Sequence, residues 1–233
     1  MENANRQTLL DGAETIVVKV GSRVLSGPDG CLDVAQVRSL STQLAALADG
    51  GHQVVLVSSG AVASGMGRLG LKQRPSDLAR LQAVAAVGQA HLIQTYESYF
   101  STLGRHAAQI LLIADDLDHR TRYLNVRNTL LALLQLGVIP IINENDTVAV
   151  DELATTFGDN DRLAAMVAGL FSRPALIILS DVEGVYNMDP SNPQAKVLHT
   201  IDHVDQSIFD LAVNRTTGIS KGGMASKLKA AQF

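Results

Sequence analysis

One cysteine, Cys31, stands in the whole chain of 233 residues. No internal disulfide can form, and such sparing use of cysteine suits a reducing compartment. No apolar run is long enough to cross a bilayer. The most apolar stretch, Leu130 to Ile142, is about thirteen residues long and is broken by Gln135, Gly137 and Pro140, whereas a span needs about 20. The first fourteen residues are polar and carry Glu2, Asp11 and Glu14, which fits neither a signal peptide nor an Arg-rich transit peptide. No long Lys/Arg run is present and the net charge is −4, so nothing marks a nucleic-acid surface. These absences point to a soluble, cytoplasmic protein with no membrane or nucleic-acid partner.

Familiar catalytic signatures are absent too. There is no G-x-S-x-G elbow for a nucleophilic serine and no G-x-x-x-x-G-K-[ST] loop for phosphates. The six histidines show no metal spacing. His199 and His203 are four apart but lie in a polar segment after a turn, which reads as a solvated face. Gly65, Gly67 and Gly70 match G-x-G-x-x-G. They begin too far beyond the preceding strand for a dinucleotide fingerprint, and no acidic residue follows at the required distance. The segment is expected to be a flexible loop or a lid.

What the chain does contain is an alternation. Apolar residues make up 46% and charged residues 18%, a globular balance. A chain of this size buries roughly 70–75% of its unfolded surface. Short β-branched runs predict strands at Thr15–Val20, Gln53–Val57, Gln109–Ile113, Val138–Ile142 and Ala175–Leu179. Between them lie helical patterns. Asp33 caps one whose face carries Val34, Val37, Leu40, Leu44 and Leu47, stopped by Gly50 and Gly51. Others run over Asp77–Tyr99, Arg120–Leu136 and Asn160–Phe171, and a last helix begins at Met224 and runs to Ala231. The order predicts an α/β fold, with a mostly parallel sheet between two helical layers. Strands that are apolar throughout fit a sheet covered on both faces. No internal repeat, low-complexity tract or linker appears, so one domain is the simplest account.

In such sheets ligands bind beyond the carboxyl ends of the strands. Small polar or acidic residues follow the strands there: Gly21-Ser22, Ser58-Ser59-Gly60, Asn143 to Asp146, and Ser180-Asp181. Lys19 interrupts an apolar strand. It either faces an anion at the strand end or reaches back to water from a sheet edge. Ser58-Ser59-Gly60 joins a strand to a helix start, where free amides favour a carboxylate or phosphate, or where a plain capping turn sits. Asp159, Asn160 and Asp161 exceed what capping a helix requires. They can orient lysines, hold Mg²⁺ through water, or bind an ammonium. Lys221-Gly222-Gly223-Met224-Ala225-Ser226-Lys227 can bring amides and a lysine to a polyphosphate, or can be an exposed helix start.

Together these blocks resemble the amino acid kinase family, in its glutamate-phosphorylating branch. The likeness runs from "VVKVGSRVL" through "VSSGAVASG", "AAVGQAHLI", "YLNVRNTL", "IPIINENDTVAV", "FGDNDRLAA" and "LSDVEGVYNMDPSNP" to "GGMASK". It implies a three-layer αβα sandwich and ATP-dependent phosphorylation of the γ-carboxylate of L-glutamate, the first step toward proline. The alternatives are another carboxylate kinase of the same fold, or a nucleotide- or amino-acid-binding domain without turnover. By this likeness Lys19 and Lys227 flank the transferring phosphoryl group and Asp161 holds both lysines. Ser59, Asp146 and Asn160 bind glutamate, with Asn143 nearby. Ser180, Asp181 and Lys221, Gly222, Gly223, Met224, Ala225, Ser226 and Lys227 line the nucleotide site, which Lys19 also touches. Mg²⁺ bridges the ATP phosphates, with no metal ligand from the protein. Homo-oligomers, dimers or tetramers, are expected. Lys221 departs from the small or neutral residue expected there; it adds a cation near the phosphates or faces solvent. Family members usually continue through a further strand and helix, and some add a PUA module. Residues 1–233 are therefore expected to be one catalytic domain, truncated at its C-terminal end and without that module.

Overall fold

The computed structural model describes residues 2–149, 160–213 and 223–233. Its elements run in the order α1 (Glu2–Asp11), β1 (Thr15–Val20), α2 (Ser22–Leu25), α3 (Val34–Asp49), β2 (Gln53–Ser58), α4 (Ala61–Leu69), α5 (Leu78–Thr102), β3 (His106–Leu112), α6 (Ala114–Asp118), α7 (Arg120–Gln135) and β4 (Val138–Glu144). After these come α8 (Asn160–Ala168), β5 (Pro174–Leu179), α9 (Gln206–Val213) and α10 (Gly223–Gln232). The five strands form one sheet in the order β3-β4-β2-β1-β5. All their pairings are parallel.

Strand side chains alternate between faces, and this divides the core in two. Ile16, Val18, Val20, Val54, Leu56, Ile139 and Ile141 face α3 and α5, which contribute Val37, Leu40, Leu44, Leu92, Tyr96 and Phe100. Val17, Val55, Val57 and Ile142 face the opposite layer, where α7 supplies Leu130 and α8 supplies Leu163, Ala164 and Val167. β1 is buried along its whole length, as a strand with a neighbour on each edge and a helix layer on each face must be. Lys19 shares its parity with Val17, so the alternation sends it toward α8.

Asp33 caps α3 by accepting from the amides of Ala35 and Gln36, and Asp77 caps α5 through Arg80. Two expectations change. The glycine-rich segment is not a loop: Gly65 and Gly67 lie inside α4, and Gly70 ends it in the left-handed region, φ 64°. The reason is packing. A Cβ at Gly65 would run into the carbonyl of Val84, and one at Gly88 into the carbonyl of Ala61. Glycine at both positions lets α4 and α5 touch backbone to backbone. Secondly, α1, α2, α6 and α9 were not anticipated. α1 has a polar sequence with no apolar stripe, and among its described side chains only Leu10 packs on the core. β3 begins at His106 rather than Gln109, because an edge strand tolerates polar, exposed residues.

Gly88→Ala is expected to destabilise the protein by about 1–3 kcal/mol, since the helices must part to admit a methyl group. Urea denaturation measures this; an unchanged midpoint would show that the crossing is not tight.

Candidate active site

The carboxyl ends of the strands lie level. Lys19 pairs in register with Val57 and Ile178, and Val20 with Ser58 and Leu179. β4 continues past its pairing of Ile142 with Val57 to Asn143 and Glu144, both buried. Three helix starts, the first behind a glycine turn, complete the rim. Beyond β2, the Ser59 amide donates to the Val20 carbonyl at 3.0 Å. Gly60 then turns the chain at φ 109°, a conformation open to glycine at little cost, and α4 begins. α8 opens on Asn160 and Asp161, and α10 on Gly223.

One carboxylate gathers the charges. Lys19 Nζ stands 2.8 Å from Asp161 Oδ1 as an ion pair. Lys227 Nζ donates to Asp161 Oδ2 at 3.0 Å, and Ser226 Oγ donates to the same oxygen at 2.6 Å. The Lys19 and Asp161 side chains are 8% and 3% exposed, while that of Lys227 is 20% exposed. Burial alone would raise the Asp161 carboxyl, but Lys19 foremost, then Ser226 and Lys227, hold it below its ordinary value. A depressed carboxyl stabilises the fold above the unfolded value of about 3.9, and that contribution is lost as pH falls below it. Two ammonium groups on one carboxylate leave one net positive charge, with the less buried lysine reachable from outside.

A neutral amide cluster lies beside it. Asn160 Nδ2 donates to Ser59 Oγ at 2.8 Å and to Asn143 Oδ1 at 3.2 Å. Asn160 and Asp161 are consecutive, so the first turn of α8 serves both clusters. Asp146 lies on the loop after β4, where its own amide donates to the Glu144 carbonyl at 3.0 Å. Burial first, then the neighbouring Glu144 carboxylate, push Asp146 up to about 6, against the opposing pull of Arg74. Ser180 and Asp181 follow β5 beside α2. Arg23 Nη1 pairs with Asp181 Oδ2 at 3.1 Å, and Ser180 Oγ donates to Asp181 Oδ1 at 3.4 Å. Burial raises the Asp181 carboxyl, but Arg23 outweighs it and holds the group below its ordinary value.

The structure thus brings Lys19, Asp161, Ser226 and Lys227 together, and Ser59, Asn143 and Asn160 together. Gly223, Met224 and Ala225 form the first turn of α10. Met224 also packs with Leu228 against Val185, Ile208 and Phe209, which fastens that helix to its surroundings. Asp159, Lys221 and Gly222 lie outside the described residues. Sequence reading did not single out Glu144 or Gln89. The signal for Gln89 was a buried glutamine on the apolar stripe of α5, among Leu81, Val84, Ala85 and Leu92. Among the described residues no three His, Cys, Asp or Glu side chains converge to hold a metal ion, and Asp161 is occupied by cations and a hydroxyl. A divalent cation therefore finds no cage of protein ligands in the described site.

Residues 14–232 match the model of the amino acid kinase family. Among curated proteins, the chain is 50% identical over 230 residues to a glutamate 5-kinase of Rhodopirellula baltica, covering 99% of this chain and 59% of that protein. It is 51% identical over 221 residues to a glutamate 5-kinase of Aromatoleum aromaticum, covering 94% and 59%. The chain thus spans about three fifths of the length of these relatives. Among solved structures, a carbamate kinase from Giardia lamblia bound to AMP-PNP superimposes with a TM-score of 0.59 at 16% identity, over 94% of this chain and 87% of that one; this likeness speaks for the fold. With the parallel sheet, the helices on both faces and the family match in agreement, the chain belongs to the amino acid kinase family.

Proposed function

We propose that this chain is the catalytic domain of a glutamate 5-kinase, which transfers the γ-phosphoryl group of ATP to the γ-carboxylate of L-glutamate. The product is L-glutamyl 5-phosphate, in the first step of proline biosynthesis. The observation that carries this reading is the pair of lysines fixed by Asp161 at the strand ends. Identity of about one half to proteins named glutamate 5-kinase, over nearly the whole chain, supports the choice of acceptor.

Both reactants are anions and repel each other, so the site must supply positive charge and in-line positioning rather than a covalent intermediate. An ammonium group about 4 Å from a phosphate oxygen gains roughly 4 kcal/mol at an effective dielectric of 20, before desolvation. Lys19 and Lys227 speed the reaction to the extent that they fit the transferring phosphoryl group better than bound ATP. Asp161 keeps them in place. The attacking carboxylate is ionised at neutral pH, so no strong general base is needed. Ser59, Asn143 and Asn160 hold the amino acid, and Asp146 meets its ammonium. Ser180, Asp181 and residues 221–227 line the nucleotide. Mg²⁺ would neutralise phosphate charge from the nucleotide side. The working unit is a homo-oligomer.

The reading is tested by trapping γ-glutamyl hydroxamate, with L-aspartate and N-acetyl-L-glutamate as control acceptors. Turnover of a control but not of L-glutamate overturns it. Lys227→Ala is expected to lower kcat by a hundredfold or more, on the scale of losing one preorganised transition-state contact, with little change in KM for L-glutamate. An unchanged kcat removes Lys227 from the chemistry. Amino-acid affinity also depends on pH. Glu144 and Arg74 face Asp146, which ionises only above about 6 in the free protein. Binding of L-glutamate is expected to weaken by up to about tenfold per unit below that pH, as one proton must be lost. Calorimetry from pH 5 to 8 measures it; a flat profile would exclude Asp146 from ammonium recognition.

A further inference from the structure

The amide cluster has a direction, set by the Glu144 backbone, and one residue outside the assigned site braces its far end. The Glu144 backbone N–H donates to Asn143 Oδ1 at 2.9 Å. A backbone N–H can only donate, so this bond fixes which end of the Asn143 amide is oxygen. Asn143 Nδ2 is then turned the other way, and it donates to Gln89 Oε1 at 2.8 Å. Gln89 must therefore present its oxygen to Asn143. Asn160 must in turn present its nitrogen to Asn143 Oδ1, and the same nitrogen reaches Ser59 Oγ. The amides form a relay, Gln89–Asn143–Asn160–Ser59, in which no member flips without breaking a bond.

The relay leaves loose ends of defined kind. Among the described residues, Asn160 Oδ1 is buried and has no partner, and Gln89 Nε2 is likewise buried and unpaired. Such atoms are rare in folded proteins, and each calls for an explanation. Asn160 is 2% exposed and Gln89 8%, and Asn160 adjoins the Asp161 that holds both lysines. An acceptor placed there suits a donor on a ligand. The tight crossing of α4 and α5 at Gly65 and Gly88 brings the neighbouring Gln89 to the strand ends. A second bond from the same helix, Tyr96 to Ser58 Oγ at 3.0 Å, ties α5 to the end of β2.

We propose that Gln89 is a positioning residue for the amino-acid substrate: it holds the relay so that Asn160 presents Oδ1 as a free acceptor to a donor of that substrate. This rests on the reading of the site as an amino-acid acceptor site. Gln89 acts through Asn143 and need not touch the substrate.

The test compares wild type, Gln89→Met and Gln89→Glu. Methionine fills a similar volume but accepts nothing from Asn143; a glutamate carboxylate still accepts. L-Glutamate, L-aspartate, N-acetyl-L-glutamate and AMP-PNP are titrated into each by calorimetry, and the side-chain amide resonances of Asn143 and Asn160 are recorded without ligand. Gln89→Met is expected to weaken the tightest-binding amino acid about tenfold, leave AMP-PNP within twofold, and shift the Asn160 amide resonances. Gln89→Glu is expected to stay within threefold and to keep those resonances near their wild-type positions. Equal weakening by both variants, or no weakening by either, overturns the proposal, as does an Asn160 amide that does not respond to methionine. Should Gln89→Met fail to fold, rapid exchange of the Asn160 side-chain amide in the wild type also overturns it. If the wild type binds another acceptor or none, the functional reading fails, while the amide resonances still decide the relay.

Discussion

The site depends on a single buried carboxylate that two lysines share. Asp161 receives Lys19 from the first strand and Lys227 from the last helix, so segments near the two ends of the sequence meet at one side chain. Burying these charges is expensive, and an unpaired survivor costs about 3–5 kcal/mol. A buried ion pair is thus weak evidence for stability as such. Its worth here is geometric. It fixes two ammonium groups at the carboxyl ends of a parallel sheet, where the fold places ligands. Ser226 adds a hydroxyl to the same carboxylate oxygen as Lys227, so α10 is fastened twice at its first turn.

The start of α8 divides the labour between neighbouring residues. Successive side chains on a helix point about 100° apart. Asp161 turns to the lysines while Asn160 turns to Ser59 and Asn143. A charged half that suits a phosphoryl group and a neutral amide half that suits an amino acid are thereby held side by side on one rigid element. The glycines of α4 and α5 serve the same end, since close helix packing carries a buried glutamine to the amide half.

Much of this was legible in the sequence, for physical reasons. β1 announced itself as a continuous apolar run, and Lys19 stood out because a charge in such a run needs a partner. Asn160 and Asp161 stood out because they exceed what a helix cap requires. Lys227 was visible only in company, since a lysine near a helix start is usually solvated. Other features were hidden. α1 lacks an apolar stripe, so periodicity cannot find it. Gly65 and Gly67 suggested a loop because a glycine does not declare whether it serves freedom or close approach; only the facing carbonyl of Val84 decides. Gln89 was one polar residue on an apolar stripe, and its meaning depends on Asn143, far away in sequence.

Asp161 and Lys227 act as one unit rather than as two independent polar residues. A double-mutant cycle of Asp161→Asn and Lys227→Ala, read as unfolding free energy by denaturant titration, tests it most directly. The account predicts a coupling of about 1–3 kcal/mol, with the double variant losing clearly less than the sum of the single ones. Losses that add to within about 0.3 kcal/mol would contradict it.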